Sequence, residues 1–166
     1  MVVSELFYES FREFKDPETK EVIKVKYYNY LDFLIGGVDK TGKFAWVKRY
    51  PKMQFSTKDG GYFSSYAIYT NLNTVKLMYN DDEKNIKNDN PAKTKTVNFN
   101  PKRNPNGIAI MHSIYTDGSE QKTTMFDKKV DGSPVIVPRT FTKFDDGFII
   151  YTLEKNQYRF AQFVFE

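Results

Sequence analysis

The stretch from Tyr30 to Pro51, YLDFLIGGVDKTGKFAWVKRYP, constrains the fold more than any other part of the chain. An apolar run leads into the turn residues Asp39–Gly42, and a second run follows that contains the only tryptophan, Trp46. Two hydrophobic runs separated by a short turn that contains glycine predict a β-hairpin. Gly36 and Gly37 in the first strand predict a bulge or a close approach of another group to the backbone.

Hairpins of this kind recur along the chain. Gly107–Tyr115 leads into a turn at Thr116–Ser119, whose Asp-Gly pair is a strong short-range hairpin pattern. Val135–Phe144 reaches the next turn at Asp145–Gly147. No stretch favours a helix, so the sequence predicts an all-β protein with antiparallel strands.

When the strands are grouped between their connectors they fall into three units, at residues 2–51, 62–127 and 135–166. A recurring four-stranded unit of about 40–50 residues is typical of a β-propeller blade. We therefore expect a single all-β repeat domain, propeller-like, with about three blades, of which the last lacks a strand. A β-sandwich and a barrel are the alternatives.

Three blades are fewer than the ~4–8 that close a propeller ring. An exposed aromatic edge strand is also prone to pair with another chain. The chain is therefore predicted to be a fragment or part of a larger propeller, completed by missing blades or by self-association.

Two loops are candidate binding elements. The first is the tip Asp16–Lys20 of a long arm formed by Val2–Phe14 and Glu21–Tyr30. The second is the irregular, Asn-rich stretch Asp81–Asn106, inside which Thr96–Phe99 is a short strand-like piece. A loop of this length in a compact domain usually has a function or is mobile.

The strand prediction also extends to the second unit, where Tyr62–Thr70 is expected to be a strand. Lys52–Gly61, which precedes it, is expected to be a polar connector without a strand. Trp46 is expected to pack between units.

Composition excludes several functions. The net charge is +4, and the 25 basic residues are interleaved with 21 acidic ones, which argues against a nucleic-acid-binding face. The chain has no cysteine, which excludes disulfides and cysteine-based zinc sites. No apolar run approaches the ~20 residues of a membrane-spanning helix. The start of the sequence, MVVSELFYESFREF, lacks the pattern of a signal peptide.

The sequence contains few groups suited to catalysis. His112 is the only histidine and lies in an apolar strand, where a structural or surface role is expected. The catalytic motifs of serine hydrolases, zinc proteases and P-loop enzymes are absent. Carboxylates remain the alternative, because a glycosidase needs two of them about 5–10 Å apart. The Asp81–Asn90 stretch also leaves Ca²⁺ open, although its spacing does not fit an EF-hand. We expect no metal and no cofactor.

Exposed tyrosines can stack on sugars or anchor protein interfaces. None of the candidate binding residues is expected to be catalytic. They are Asp81, Asp82, Asn85, Tyr62, Tyr66 and Arg139.

Three runs carry a resemblance to a known group of proteins: VVSELFYE with YYNYLDFLIGGVDKTGKFAWVKRYPKMQ, GGYFSSYAIYTNLNTVKLMYNDDEKN, and FTKFDDGFIIYTLEKNQYRFAQFVFE. With the Asp-Gly turn, they resemble the C-terminal, propeller-like region of large uncharacterised exported proteins of Bacteroidetes-type bacteria. The resemblance implies an extracytoplasmic location, in the cell envelope, periplasm or outside the cell, and no established activity. The Asn/Lys/Pro-rich insertion departs from that pattern.

The sequence thus predicts a non-catalytic binding or scaffolding module of a cell-envelope or secreted protein. It would recognise a protein or a glycan partner through its loops. Two alternatives stay open: a carbohydrate-active hydrolase that uses the loop carboxylates, and a barrel that holds a small ligand in an aromatic interior.

Overall fold

A computed structural model describes residues 1–88, 90–98, 107–132, 134–154 and 157–165. The strands in these residues form three sheets, named A, B and C. Sheet A contains β1 (Val2–Lys15), β2 (Val22–Val38), β3 (Phe44–Tyr50), β4 (Gln54–Thr57) and β7 (Val97–Asn98). Sheet B contains β5 (Ala67–Thr70), β6 (Thr74–Asp82), β8 (Gly107–Tyr115) and β9 (Glu120–Thr124). Sheet C contains β10 (Val135–Phe144), β11 (Gly147–Glu154) and β12 (Gln157–Val164). Short 3₁₀ turns lie at Glu83–Asn85 and Pro91–Lys93.

The prediction of an all-β protein with antiparallel sheets is confirmed. In the described residues the strand pairs are antiparallel apart from β4 and β7, which run parallel. Within the described residues none of the three sheets closes into a barrel, so the barrel alternative is wrong.

Sheet A is organised by β2, which is one continuous strand of 17 residues. Its second half pairs with β3 over Phe33–Val38, and its first half pairs with β4 over Tyr27–Tyr30. The expectation that Lys52–Gly61 contains no strand is therefore wrong. The prediction was wrong because the buried residues of β4, Gln54 and Ser56, are polar. Their polarity is typical of a surface connector.

β7 joins sheet A from an unexpected place. It lies in the chain between β6 and β8 of sheet B, yet it pairs with β4 through Gln54 and Val97. The strand-like piece predicted at Thr96–Phe99 is thus a two-residue strand, and Phe99 itself lies outside the described residues. Sheet A thus contains one strand from the unit predicted at residues 62–127.

Sheet B lies between the other two sheets and is covered on both faces. Leu77 and Tyr79 of β6 pack with Phe33 of sheet A, whereas Met78 packs with Phe148 of sheet C. Because successive side chains of a strand point to opposite faces, one strand supplies both cores. Leu77 and Met78 are fully buried.

The far face of sheet C is partly covered by the chain itself. Phe63, in the connector before β5, and Val97 of β7 pack against Val137 and Leu153. The predicted strand Tyr62–Thr70 is accordingly shorter than expected, because Phe63 turns away to make this contact and only Ala67–Thr70 is extended. Phe63, Val97, Val137 and Leu153 are called the cap.

Trp46 packs between sheets A and B, as the sequence predicted. Its indole N–H donates to the carbonyl of Thr116 over 3.0 Å. A Cβ atom on Gly37 would lie 2.6 Å from Cε2 of this ring, and one on Gly118 would lie 3.2 Å from Cδ2. The predicted close approach at Gly37 is therefore the indole ring, and the register of β2 and β3 shifts next to it.

Candidate functional site

The loop residues predicted to bind a ligand form one buried cluster at the end of β6. Oδ1 of Asp81 accepts hydrogen bonds from the backbone N–H of Asp82, over 2.8 Å, and from Nδ2 of Asn85, over 2.7 Å. Asn85 also bonds the backbone N–H and carbonyl of Lys95, each over 2.8 Å. Asp82 caps the 3₁₀ turn by accepting from the N–H of Lys84. The cluster therefore holds the loop together.

Burial raises the pKa of Asp81 to about 6, against the hydrogen bonds from Asn85 and Asp82, which act to lower it. The side chain reaches little solvent, since the residue is only 2% exposed. Such a carboxyl has no free face on which a substrate could lie.

The other three predicted residues are dispersed. Tyr62 is exposed, with its ring centroid 4.9 Å from that of Phe63. Tyr66 is half-buried and meets the ring of Phe33 edge-on at 5.1 Å. Arg139 donates to the hydroxyl of Tyr30. The structure thus brings Asp81, Asp82 and Asn85 together and leaves Tyr62, Tyr66 and Arg139 outside that cluster.

A buried polar network that the sequence did not indicate lies where β1 enters the body of the protein. Nζ of Lys52 is 2.6 Å from Oε1 of Glu5 and donates to Oε1 of Gln54 over 2.9 Å. Nε2 of Gln54 donates to the carbonyl of Asn80 over 2.6 Å. Burial lowers the pKa of Lys52, although Glu5 acts to raise it.

Asn80 extends this network to sheet C. Its side-chain amide donates to the carbonyls of Phe63 and Ile136 and accepts from the N–H of Ile136, over 2.7–2.9 Å. The Asn80 amide bonds both backbone groups of Ile136, as a neighbouring strand would do at the start of β10. The network therefore connects all three sheets. Lys52, Gln54 and Asn80 are buried, and Glu5 is half-buried, so the network serves the fold.

His112 is fully buried between sheets A and B, and its Nε2 bonds Oε2 of Glu120. Tyr50 of sheet A meets the imidazole edge-on, with 4.8 Å between ring centroids. Partial burial acts to raise the pKa of Glu120, but the hydrogen bond from His112 and the charges of His112, Lys122 and Lys48 together outweigh it, and the pKa is lowered. No solvent-facing catalytic base results.

A groove between sheets B and C is the strongest candidate for a binding site. It consists of two adjoining clefts, of about 490 and 480 Å³, that share Phe126, Lys128, Gly132 and Pro134. β8 and the residues after β9 line one end, and β12 lines the other. We call this feature the inter-sheet groove.

Residues 125–132 shape the groove, and two acidic residues among them hold this segment in place. Asp127 accepts from the N–H of Lys129 over 2.8 Å, and Oδ2 of Asp131 accepts from the N–H of Asp127 over 3.0 Å. The carbonyl of Asp127 also accepts the N–H groups of Val130 and Asp131. These bonds hold a tight turn whose neighbouring side chains reach the groove.

Charges of both signs surround the groove. Nζ of Lys128 is 3.4 Å from Oε2 of Glu83, across its rim. Nη2 of Arg159 donates to Oε1 of Gln157 over 2.9 Å at the β12 end. The acidic lining residues are Glu83, Asp127, Asp131 and Glu154, and the basic ones are Lys128, Lys129 and Arg159. Sequence reasoning missed the groove because these residues come from separate segments and form no local motif.

Within the described parts of the chain, no three His, Asp or Glu side chains lie together in a way that could hold a metal ion. Asp89, a member of the stretch considered for Ca²⁺, is not among them. The described residues also contain no helix long and apolar enough to cross a membrane.

Comparison with known proteins adds no family to this description. No protein-family model matches the chain, and neither a curated protein nor a solved structure shows significant similarity to it.

Proposed function

We propose that this protein is a non-catalytic binding module that holds an extended ligand in the inter-sheet groove. The single observation that carries the proposal is the groove itself, two adjoining clefts of about 490 and 480 Å³. Ligand sites are typically concave, with an apolar floor and a few polar groups that orient the ligand. Here Phe126 supplies apolar surface, and charged side chains surround it.

The charges favour a neutral ligand. Four acidic and three basic side chains line the groove, so a polyanion would meet as much repulsion as attraction. Arg159 and Glu154 offer donors and acceptors for hydroxyl groups, and Phe126, which lines both clefts, supplies an aromatic ring. A neutral glycan fits this chemistry best, and a peptide strand of a partner protein is the second candidate.

The carboxylates support binding over hydrolysis. Asp81 and Asp82, which a loop-based hydrolase would use, are buried and bonded to neighbouring groups. Asp127 and Asp131 of the groove are occupied by backbone N–H groups of their own loop. A hydrolase would need two carboxyls free to face the scissile bond.

The wider setting belongs to the same proposal. Three packed antiparallel sheets, of which the middle one is covered on both faces, support a propeller-like arrangement that further blades could extend. The resemblance to exported proteins of Bacteroidetes-type bacteria supports a cell-envelope or secreted location. In that setting the chain would be a scaffold that presents the groove.

The test is a titration of the ¹⁵N-labelled protein with neutral oligosaccharides, followed by NMR. We expect amide shifts confined to the segments that line the groove, residues 108–109, 124–134, 152–154 and 157–161 together with Glu83. We also expect a loss of affinity of about 10-fold or more in Arg159→Ala, which is ~1.4 kcal/mol. Arg12→Ala, on a distant part of sheet A, is the matched control and should bind normally. Shifts elsewhere, or equal affinity in Arg159→Ala, would exclude the groove. Cleavage of the oligosaccharide would favour the hydrolase alternative.

A further inference from the structure

The face of sheet A that points away from sheet B is apolar and uncovered. The cross-strand pairs Val2–Gly36, Ser4–Leu34 and Gly36–Val47 lie on the side opposite to Phe33 and Ile35, which face the core. Along the arm, the pairs Tyr8–Asn29 and Phe14–Ile23 continue the same side. We call this surface the open face. Its large apolar residues, each 44–57% exposed, are Val2, Leu6, Tyr8, Phe14, Ile23, Leu34 and Val47.

The opposite side of the arm is different in character. There Lys26 forms a 2.7 Å salt bridge with Glu9 and lies 5.0 Å from the ring centroid of Tyr28. Lys24 lies 4.8 Å from the ring centroid of Phe11. Charged groups thus cover the aromatic rings on that side, whereas on the open face few charges do so. The open face carries the larger group of exposed apolar side chains, against Phe7, Phe11 and Val22 on the opposite side.

The open face is large enough for a stable protein interface. Its apolar side chains together expose roughly 600 Å², taking about half the surface of each. If two such faces met, they would remove about 1,200 Å² from water, the lower bound of specific interfaces. The largest apolar patch on a typical monomer is about 300–600 Å².

The two outer faces of the sheet assembly differ in size. At the sheet C end, the cap residues Phe63 and Val97 cover Val137 and Leu153, while Tyr158 and Phe160 on the same face stay 52% and 73% exposed. A head-to-tail assembly needs two complementary open ends, whereas a two-fold dimer needs one self-complementary face. The larger open face of sheet A therefore fits a two-fold dimer.

Charges on the open face are placed for this symmetry. Arg12 lies four residues from Tyr8 along β1, towards the tip, with Cζ 5.1 Å from the ring centroid of Tyr27. Asp32 lies on the other side of the Tyr8–Asn29 pair, beside Arg49. A two-fold axis between Tyr8 and Ser10 that reverses the strand direction would bring Arg12 of each copy towards Asp32 of the other, where Arg49 already pairs with the Asp32 carboxylate.

We propose that the open face of sheet A binds a second copy of this chain, in a two-fold symmetric dimer whose axis passes near Tyr8. The sheets of the two copies would pack face to face, as sheets A and B do within one copy. The inter-sheet groove lies on the far side of sheet B, between it and sheet C, so the dimer would present two grooves.

Light scattering coupled to size exclusion, over a range of protein concentrations, tests the dimer. We expect twice the 19.5 kDa chain mass at micromolar concentration. Leu34→Lys, which puts a charge on the exposed centre of the open face, should raise the dimer Kd by about 100-fold or more. Leu72→Lys is the matched control, because Leu72 is 97% exposed at the β5–β6 turn and away from the open face.

Cross-linking provides a second measurement that does not depend on a disruptive substitution. The chain has no cysteine, so Tyr8→Cys introduces a single thiol near the proposed axis. We expect a covalent dimer to form on mild oxidation of Tyr8→Cys and not of Leu72→Cys. A wild-type protein that stays monomeric at all concentrations overturns the proposal, as does a dimer that Leu34→Lys leaves intact. Cross-linking of Leu72→Cys alone would overturn it as well.

Discussion

Sheet B and the β1–β2 arm are both built from antiparallel strands rich in apolar residues, yet the protein treats them in opposite ways. Leu77 and Met78, adjacent on β6, are fully buried because sheets A and C cover the two faces of sheet B. Phe14 and Ile23, paired on the arm, are 46% and 44% exposed because no sheet covers them. Strand pairing alone therefore does not bury apolar surface. Burial requires a second layer, and the stability of this protein is concentrated where layers meet.

The largest effect is expected where the arm enters the layered body. Lys52→Met removes the ammonium that the Glu5 carboxylate faces at 2.6 Å, and so leaves a nearly buried negative charge unpaired. We expect the free energy of unfolding to fall by about 3–5 kcal/mol, the usual cost of breaking a buried ion pair. Urea denaturation followed by circular dichroism measures it.

The double variant Glu5→Gln/Lys52→Met is the control for that prediction, because it removes both charges together. It should recover much of the lost stability, since replacing both members of a buried pair is often neutral. If Lys52→Met alone costs less than about 1 kcal/mol, the pair does not join the arm to the body in the way described.

An intermediate effect is expected from Asp81, at the end of the buried strand β6. Its folded pKa of about 6 lies above the ordinary 3.8, so the folded state binds more protons between these two pH values. The contribution of this group to stability is therefore greatest below about pH 4 and is lost as the pH rises towards about 6. The loss is of the order of 1–3 kcal/mol.

Asp81→Asn should remove this pH dependence, because an amide accepts the same hydrogen bonds without a charge. Urea denaturation at about pH 4 and about pH 7 should show a smaller difference for the variant than for the wild type. An identical pH dependence in the two proteins would show that Asp81 ionises normally despite its burial.

The smallest effect is expected on the charged side of the arm. Lys24→Ala removes a contact between an exposed ammonium and the ring of Phe11, 4.8 Å away. Exposed contacts of this kind contribute about 0.5–1 kcal/mol at most, and we expect a loss of about 0.5 kcal/mol or less. Thermal unfolding measures it, and a loss as large as that of Lys52→Met would mean that the arm is packed as tightly as sheet B.

Much of the fold could be predicted from the sequence, because alternation and turn chemistry are local. β8 and β10 have the predicted bounds, and the Asp117 turn forms through side-chain hydrogen bonds to Ser119. β4 could not be predicted, because its buried residues Gln54 and Ser56 are polar and the residues they pair with in β2, Tyr30 and Tyr28, lie far away in the chain.

The site was harder to predict than the strands. Asp81, Asp82 and Asn85 are close in sequence, and the structure keeps them close, but no local pattern shows that this loop turns inwards. The inter-sheet groove joins the 3₁₀ turn after β6, β8, the β9–β10 loop, β11 and β12. Its lining depends on how sheets B and C pack, and that packing is decided by long-range contacts that a single sequence does not reveal.

The parallel pairing of β7 with β4 has a consequence for how the chain reaches its native state. Val97 is synthesised after β5 and β6 but before β8 and β9. During synthesis, sheet A therefore stays incomplete until β5 and β6 of sheet B have been made. Sheet B in turn is completed by β8 and β9 only after β7 has been made for sheet A. Such distant pairing slows folding and leaves edges exposed meanwhile. We expect the two sheets to fold as one cooperative unit, and a chain cut before β7 to be a substrate for chaperones rather than an independent domain.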